Sequence, residues 1–387
     1  MTPAARVEAA AGILDQVLSG SSAEQCLIAW ARQSRFAGSG DRAAVRDLVF
    51  DALRRQRSLA WTGGALTGRG LMIGRLRGEG HDPAEVFTGQ GYAPAPLTAE
   101  EAAERPGIEQ APTAVRLDCP DWLWPLVSAS LGERTEEVLD LLRARAPVFL
   151  RVNTTRATPQ EAIRRLGDEG IDAAPGPLSP TALIVGGNAR RVQASQAYLE
   201  GWVELQDAAS QAVIDVVLPH AKGRQVLDYC AGGGGKALHL AAGGAARVVA
   251  HDADPARMRD IPARAERAGA AIEITARPDG VFGCVLADVP CSGSGAWRRQ
   301  PEAKWRLTPD RLAELNALQD EILERAADHV GHGGVLAYVT CSLLDQENGA
   351  RVDAFLARHG GWHELARKHF TPLDGGDGFF VAILQKP

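Results

Sequence analysis

Two stretches of this chain carry thiols in settings where a thiol can react. The first is Leu286-Ala287-Asp288-Val289-Pro290-Cys291-Ser292-Gly293-Ser294-Gly295, and the second is Tyr338-Val339-Thr340-Cys341-Ser342. Each follows an apolar, β-rich run (residues 281–286 and 335–339) and stops at a cysteine among small residues. In a parallel α/β sheet, the carboxyl ends of strands open into the ligand crevice. Two thiols delivered there suggest a nucleophile and a helper, with Asp288 as a polar group at the same strand end. A lone cysteine is more often a small buried hydrophobe. That reading is taken for Cys26, Cys119 and Cys284, while arrival at two strand ends sets Cys291 and Cys341 apart.

A third stretch, Val226-Leu227-Asp228-Tyr229-Cys230-Ala231-Gly232-Gly233-Gly234-Gly235-Lys236, puts a glycine loop between a strand and a helix N-terminus. Bare backbone and the positive end of a helix suit a close-approaching anionic or polar ligand. A P-loop needs Gly six residues before the lysine and Ser or Thr after it. Those positions hold Cys230 and Ala237, so that pattern fails twice. The dinucleotide fingerprint is met by Gly232, Gly234 and Ala237, with Asp252 twenty residues past Gly232. An adenosine-bearing methyl donor fits equally well, because it needs the same loop for its amino-acid part and an acid for its ribose hydroxyls. Loop and acid do not choose between these two. The thiols do, since hydride transfer needs no second thiol, whereas covalent activation of a pyrimidine ring needs a nucleophile.

The elements that must position these groups follow a strand, glycine turn, helix, strand rhythm over residues 206–387. Strands are expected at 225–229 and 247–251, with helices from the glycine turn to about 242 and over 255–268. This alternation predicts an α/β fold with a doubly wound parallel sheet. Residues 116–205 read as a small α+β subdomain. Its helices are expected over 122–131 and 136–144 and its strands over 148–152 and 182–185. Between the strands, a helix opens with Thr158 as cap, Pro159 in the first turn and Glu161 completing a capping box. Residues 81–115, with Pro83, Pro94, Pro96, Pro106 and Pro112, read as a linker. Residues 1–80 read as an all-α domain, in which Val45, Leu48, Val49, Ala52 and Leu53 make one apolar stripe behind Asp41 as N-cap.

Bulk composition narrows the partners. The net charge of −6 argues against indiscriminate nucleic-acid binding but leaves room for a local basic face. Residues 26–80 hold ten arginines against Asp41, Asp47, Asp51 and Glu79, and either a solvated face or an RNA surface accounts for that run. Six cysteines without a C-x-x-C pair give no zinc pattern, so no metal is expected. No apolar run reaches the ~20 residues of a membrane span, and the first twenty residues lack a signal-peptide core. A cytoplasmic protein is expected, with no membrane partner.

Taken together, these motifs resemble those of the RNA 5-methylcytosine methyltransferases of the NOP/Sun family. In layout the chain is similar to the ribosomal RNA small subunit methyltransferase B type. The resemblance runs from about Cys119 to the C-terminus. It takes in Leu150-Arg151-Val152-Asn153, Val203-Glu204-Leu205-Gln206-Asp207-Ala208-Ala209-Ser210-Gln211, the glycine loop and the P-C-S-G segment. It continues through Arg298-Arg299-Gln300-Pro301-Glu302-Ala303-Lys304-Trp305, the T-C-S segment with Glu347-Asn348, and Asp377-Gly378-Phe379-Phe380. The arginine-rich helical segment is similar to the NusB-like RNA-binding domain of that type. The P-C-S-G and T-C-S pair in this order is the specific signal; the glycine loop alone is weak.

The resemblance implies a Rossmann-like S-adenosylmethionine methyltransferase that acts as a monomer on a cytosine in RNA, ribosomal RNA before transfer RNA. It assigns attack on ring carbon 6 to Cys341, proton removal and release to Cys291, and a contact to the base edge to Asp288. For S-adenosylmethionine it implies Cys230, Ala231, Gly232, Gly233, Gly234, Gly235, Lys236, Asp252, Arg257 and Asp288. Arg299, Lys304, Arg42 and Arg46 are the expected RNA contacts. Trp297 and Trp305 serve either base stacking or the core, and Lys236 or Lys304 supplies the positive charge beside Cys341. The chain departs from the family at Gly232-Gly233, where Ala-Pro is usual. It departs again after the third strand of the sheet, where Asp279 is the candidate adenine contact, and at Gly283 in place of a frequent Asp. A DNA cytosine-5 methyltransferase, which lacks the T-C-S site, and a ribosome-assembly factor with secondary or lost catalysis are the competing readings.

Overall fold

The computed structural model describes all 387 residues. Two compact units emerge: residues 1–145 with 297–306, and residues 146–296 with 307–387. No helix is long and apolar enough to cross a membrane.

The first unit is helical. Helices Pro3–Leu18, Ala23–Gln33, Ser39–Arg54, Gln56–Gly63 and Gly68–Gly78 surround a core containing Leu14, Val45, Val49, Leu53, Leu71 and Ile73. Each such buried aliphatic side chain contributes about 1.5–3 kcal/mol by leaving water. Asp41 does not cap the third helix. The helix begins at Ser39 behind Gly38, and Asp41 sits in its first turn, accepting from the Gly38 N–H and pairing with Arg6 and the Met1 amino group.

The expected linker 81–115 is ordered within this unit: Arg69 bonds to Glu101 and to the Pro96 carbonyl, and Arg77 to the Glu101 carbonyl. Helices Trp124–Leu131 and Thr135–Leu142, read from sequence as part of the α+β subdomain, also belong here. Late in the chain, helix Pro301–Arg306 joins the same unit. Its Trp305 Nε1 donates to the Leu53 carbonyl, and the Ala23 N–H donates to Glu302.

The second unit holds two sheets. The smaller contains β1 (Val148–Val152), β2 (Ala173–Pro175), β3 (Ala182–Val185) and β4 (Val203–Leu205), all antiparallel, in the order β2-β3-β1-β4. Helix Pro159–Asp168 carries the capping box expected at Thr158 and Glu161. Motif residues in and just after β1 tie its end to the segment around β4 and to helix Ile261–Ala268. Arg151 Nε donates to Gln206 at 2.7 Å, and Asn153 Nδ2 donates to the carbonyls of Gly201 and Ala268.

The larger sheet contains β5 (Gln225–Asp228), β6 (Arg247–Ala250), β7 (Ile272–Ile274), β8 (Phe282–Asp288), β9 (Val330–Thr340), β10 (His363–Phe370) and β11 (Phe379–Gln385). Their order is β10-β11-β9-β8-β5-β6-β7. The five strands from β9 to β7 are parallel, as expected, while β10 and β11 complete one edge by antiparallel pairing. Leu227, Val285 and Leu336 are buried at its centre. The helix expected over 255–268 is broken. A short turn of helix, Pro255–Met258, precedes helix Ile261–Ala268, because Pro262 fits only a first turn. The strand order reverses between β5 and β8, and a ligand crevice opens at such a switch point, beyond the carboxyl ends of the strands.

Candidate active site

Asp228, Asp288 and Thr340 end β5, β8 and β9 at that edge. The residues following them form the candidate site, all from the second unit. Cys291 comes three residues after β8 and Cys341 directly after β9, and their Sγ atoms are 3.4 Å apart. Both thiols are partly buried. The pairing predicted from two separate motifs is present.

The two loops are held by one carboxylate. Glu347, fully buried, accepts from the Ser292 N–H and Gln319 Nε2 through Oε1, at 2.7 and 3.0 Å. Its Oε2 accepts from the hydroxyls of Ser292 and Ser342, both at 2.5 Å. Each cysteine is thus followed by a serine bonded to the same acid. Asn348 adds a second tie, donating to the Ser342 carbonyl and accepting from Thr340. The Gly295 N–H donates to the Cys341 carbonyl, and the Gly378 N–H to the Gly295 carbonyl. A Cβ at Gly295 would lie 2.1 Å from the Gly378 carbonyl oxygen, so this approach is open only to glycine.

Charge is arranged beside the thiols. Lys236 Nζ donates to Asp288 Oδ2 at 2.6 Å and lies over the Phe379 ring. Burial works against the Lys236 ammonium. The charge and hydrogen bond of Asp288, with Cys341 and Asp228 beyond it, outweigh that effect and raise its pKa. Lys236 is therefore the cation at Cys341. Cys291 behaves differently: its hydrogen bond to Cys341, then burial and the charges of Cys341 and Glu347, hold its thiol well above the ordinary range. Cys230 lines the loop with its thiol pushed up by burial, and is no third reactive group. Cys26, Cys119 and Cys284 are buried core residues, as read from sequence.

The glycine loop leaves β5 and enters helix Gly235–Ala242. Gly232 and Gly234 have φ of +50° and +78°, a backbone region that favours glycine. The Asp252 carboxylate accepts from the N–H groups of Gly232 and Asp254 and pairs with Arg257 at 3.1 Å. The residue expected at the ribose thus also closes the loop. Asp279, the candidate adenine contact, is exposed and accepts from the next N–H in its own turn.

Asp228 was not singled out from sequence. It lies buried beneath the loop, and neither carboxylate oxygen has a hydrogen-bond partner. Burial, then the charge of Asp288, pushes it up to about 7. Asp288 and Asp252 are matched by Lys236 and Arg257, so ionised Asp228 leaves one negative charge in excess. That excess fits S-adenosylmethionine, whose sulfonium and ammonium outnumber its carboxylate.

The expected RNA contacts fare unevenly. Arg42 is exposed on its helix. Arg46 is engaged by both Glu24 oxygens, at 2.5 and 2.7 Å, and stacks on Phe50. Lys304 is no surface cation: it is buried in the helical unit, donates to the Arg54 carbonyl and lies over Trp305. Arg299 is half-buried, Trp297 is a core residue, and Trp305 is held by the Leu53 carbonyl.

A strand-order switch with a glycine loop, an acid after the next strand and this charge balance are the features of an S-adenosylmethionine-dependent methyltransferase fold. Sequence comparison places it further. A profile described as 16S rRNA methyltransferase RsmB/F matches residues 215–385, and one for the RsmF/B-like ferredoxin-like domain matches 119–192. The ribosomal RNA small subunit methyltransferase B of Serratia proteamaculans is 33% identical over 293 residues, which cover 69% of this chain and 66% of that protein. The same enzyme of Citrobacter koseri is 34% identical over 72% of this chain and 69% of its own length. The chain belongs to this family of ribosomal RNA small subunit methyltransferases.

Solved structures agree on the fold. The crystal structure of PH0851 superposes with a TM-score of 0.78 at 23% identity, covering 100% of this chain and 99% of that one. NSun6 from Pyrococcus horikoshii with SFG gives 0.61 at 18% identity, over 69% of this chain and 98% of that one.

Proposed function

We propose that the protein transfers the methyl group of S-adenosylmethionine to carbon 5 of a cytosine in RNA, and that the RNA is small-subunit ribosomal RNA. The reading rests on one observation above all: the Cys291 and Cys341 sulfurs, 3.4 Å apart, beside the Lys236–Asp288 pair. A base that is flipped or single-stranded enters the crevice edge-first. Bound at the glycine loop, S-adenosylmethionine supplies an electrophilic methyl group.

The Cys341 thiolate adds to ring carbon 6. The electron pair of the 5,6 double bond becomes available at carbon 5, and Asp288 at the base edge favours protonation of ring nitrogen 3. Carbon 5 then takes the methyl group as the methyl carbon's bond to the donor sulfur breaks, the electron pair staying on sulfur. Then the carbon 5 proton leaves, the double bond reforms and the carbon–sulfur bond to Cys341 breaks. Covalent attack splits one difficult substitution into easier steps.

The raised pKa of Cys291 supports this division of labour. Of the two, Cys291 is the thiol held in its protonated form, which suits it to wait for a proton transfer while Cys341 attacks. Once Cys341 is bonded to carbon, its hydrogen bond and charge no longer raise the Cys291 pKa, and only burial and Glu347 still do. Cys291 can then lose its proton to solvent and accept the one from carbon 5. Bisulfite sequencing of small-subunit ribosomal RNA, from cells with and without this protein, tests the reading. A protected cytosine that becomes convertible on deletion is expected; an identical pattern in both overturns it.

A further inference from the structure

The glycine loop poses a problem of order. Gly232, Gly233, Gly234 and Gly235 are consecutive, and glycine loses more conformational freedom on ordering than any other residue. Fixing each backbone unit costs about 1–2 kcal/mol, so a loop that receives a ligand needs something to hold it. One side is held from within the strand layer. The Ala231 N–H donates to the His251 carbonyl, the Gly234 N–H to the Ala231 carbonyl, and the Gly232 N–H to Asp252. None of these bonds fixes Gly233.

Gly233 is held from the other side. Its carbonyl accepts from Nη1 of Arg264, on helix Ile261–Ala268. The guanidinium runs along the loop. A Cβ on Gly233 would lie 3.0 Å from Arg264 Nη1, and one on Gly235 would lie 3.6 Å from Nη2. Arg264 therefore occupies space that side chains on the loop would fill.

Arg264 is anchored in turn. Its Nε lies 3.4 Å from Oε2 of Glu204, which sits on β4 of the smaller sheet and is 7% exposed. Arg267 pairs with the same oxygen at 2.6 Å and stacks on Tyr198. Buried charge-assisted bonds of this kind are directional and hold geometry well.

We propose that Arg264 is a positioning residue for the S-adenosylmethionine loop, fixing the Gly233 carbonyl from an anchor at Glu204. The proposal rests on cofactor binding at that loop and not on the cytosine chemistry. Glu204 links the loop to the four-stranded sheet, so a displacement of that sheet reaches the cofactor through Arg264.

The test is made on the full chain. In the ligand-free Arg264→Ala variant, amide hydrogen exchange over residues 230–236 is expected to quicken about tenfold. The Kd for S-adenosylmethionine, by titration calorimetry, should rise about tenfold. With the cofactor saturating, kcat should stay within about twofold, so the loss falls on KM. Arg264→Lys keeps a charge beside Glu204, but a single ammonium does not span both acceptors. Its Kd is expected to rise several-fold at an unchanged Tm, which separates positioning from folding should the alanine variant not fold. Exchange and Kd matching the wild type in the lysine variant, or in a folded alanine variant, overturn the proposal. A wild-type protein that binds no S-adenosylmethionine overturns it too. One that binds it yet methylates no cytosine overturns only the proposed function.

Discussion

The Sγ atoms of Cys291 and Cys341 sit 3.4 Å apart although 50 residues separate them in the chain. Two adjacent parallel strands, β8 and β9, bring them together. Their roles are separable. Cys341→Ala should lower methyl transfer to RNA by at least about a thousandfold, as expected for loss of a covalent nucleophile, while S-adenosylmethionine still binds with wild-type affinity. Cys291→Ala should accumulate a protein–RNA adduct on denaturing gels. Turnover near wild type in the first variant, or no adduct in the second, contradicts the assignment.

Glu347 makes a different prediction. Glu347→Ala leaves the Ser292 and Ser342 hydroxyls without their buried acceptor and unties both cysteine loops. A cost of about 3 kcal/mol is expected. Thermal unfolding should show a fall of roughly 10 °C in Tm. Glu347→Gln keeps the shape and one acceptor oxygen, so it should unfold closer to wild type while losing activity. If both variants match wild type in Tm and rate, the clamp has no function.

Asp228 predicts a pH dependence of cofactor affinity. Its folded pKa is raised to about 7 by burial and by Asp288, so near neutrality the ligand-free protein is partly protonated there. A ligand of net positive charge favours the carboxylate and expels that proton. Affinity should therefore rise as pH approaches 7 from below, and level off above it. Calorimetry in buffers of different ionisation enthalpy should register proton release at pH 6.5. Asp228→Asn should abolish it, and unchanged release in that variant points to another group.

Lys304 predicts a pH dependence of stability. Burial depresses its folded pKa from 10.5 to about 8, against the opposing charge of Asp118. Between pH 8 and 10.5 the unfolded chain binds the proton more readily than the folded one, so stability rises with pH across that window. Below pH 8 the penalty for burying the ammonium is complete, on the order of 3 kcal/mol at 1.36 kcal/mol per pKa unit. Lys304→Met should flatten the curve over this window in urea titrations. An identical slope in wild type and variant assigns the effect elsewhere.

How far the sequence disclosed this site depends on which physical signal each residue leaves. Cys291, Cys341 and the glycine loop were legible because packing alone seldom puts thiols at two strand ends or four glycines in a row. Asp228 was not, since a buried acid at a strand end reads like any turn residue until its missing partners are seen. Glu347 was visible only as part of a motif; its bonds to Ser292, 55 residues away, exist only once β8 and β9 pair. Lys304 misled, because beside Arg299 in the same motif it reads as a phosphate contact or a solvated charge. Only the tertiary fold buries Lys304 against the carbonyl of Arg54. The helix break before Pro262 was readable from proline chemistry alone, but the strand–helix alternation favoured one unbroken helix over 255–268.

One feature of the helical unit bears on how the protein is made. Its final helix, Pro301–Arg306, is encoded after residues 146–296, which belong elsewhere. A ribosome that has released the first 145 residues has exposed the Leu53 and Arg54 carbonyls without the Trp305 and Lys304 donors that complete them. Residues 1–145 thus emerge before residues 146–296 yet close only after them, and a truncated product ending at 145 inherits an open seam where that helix belongs.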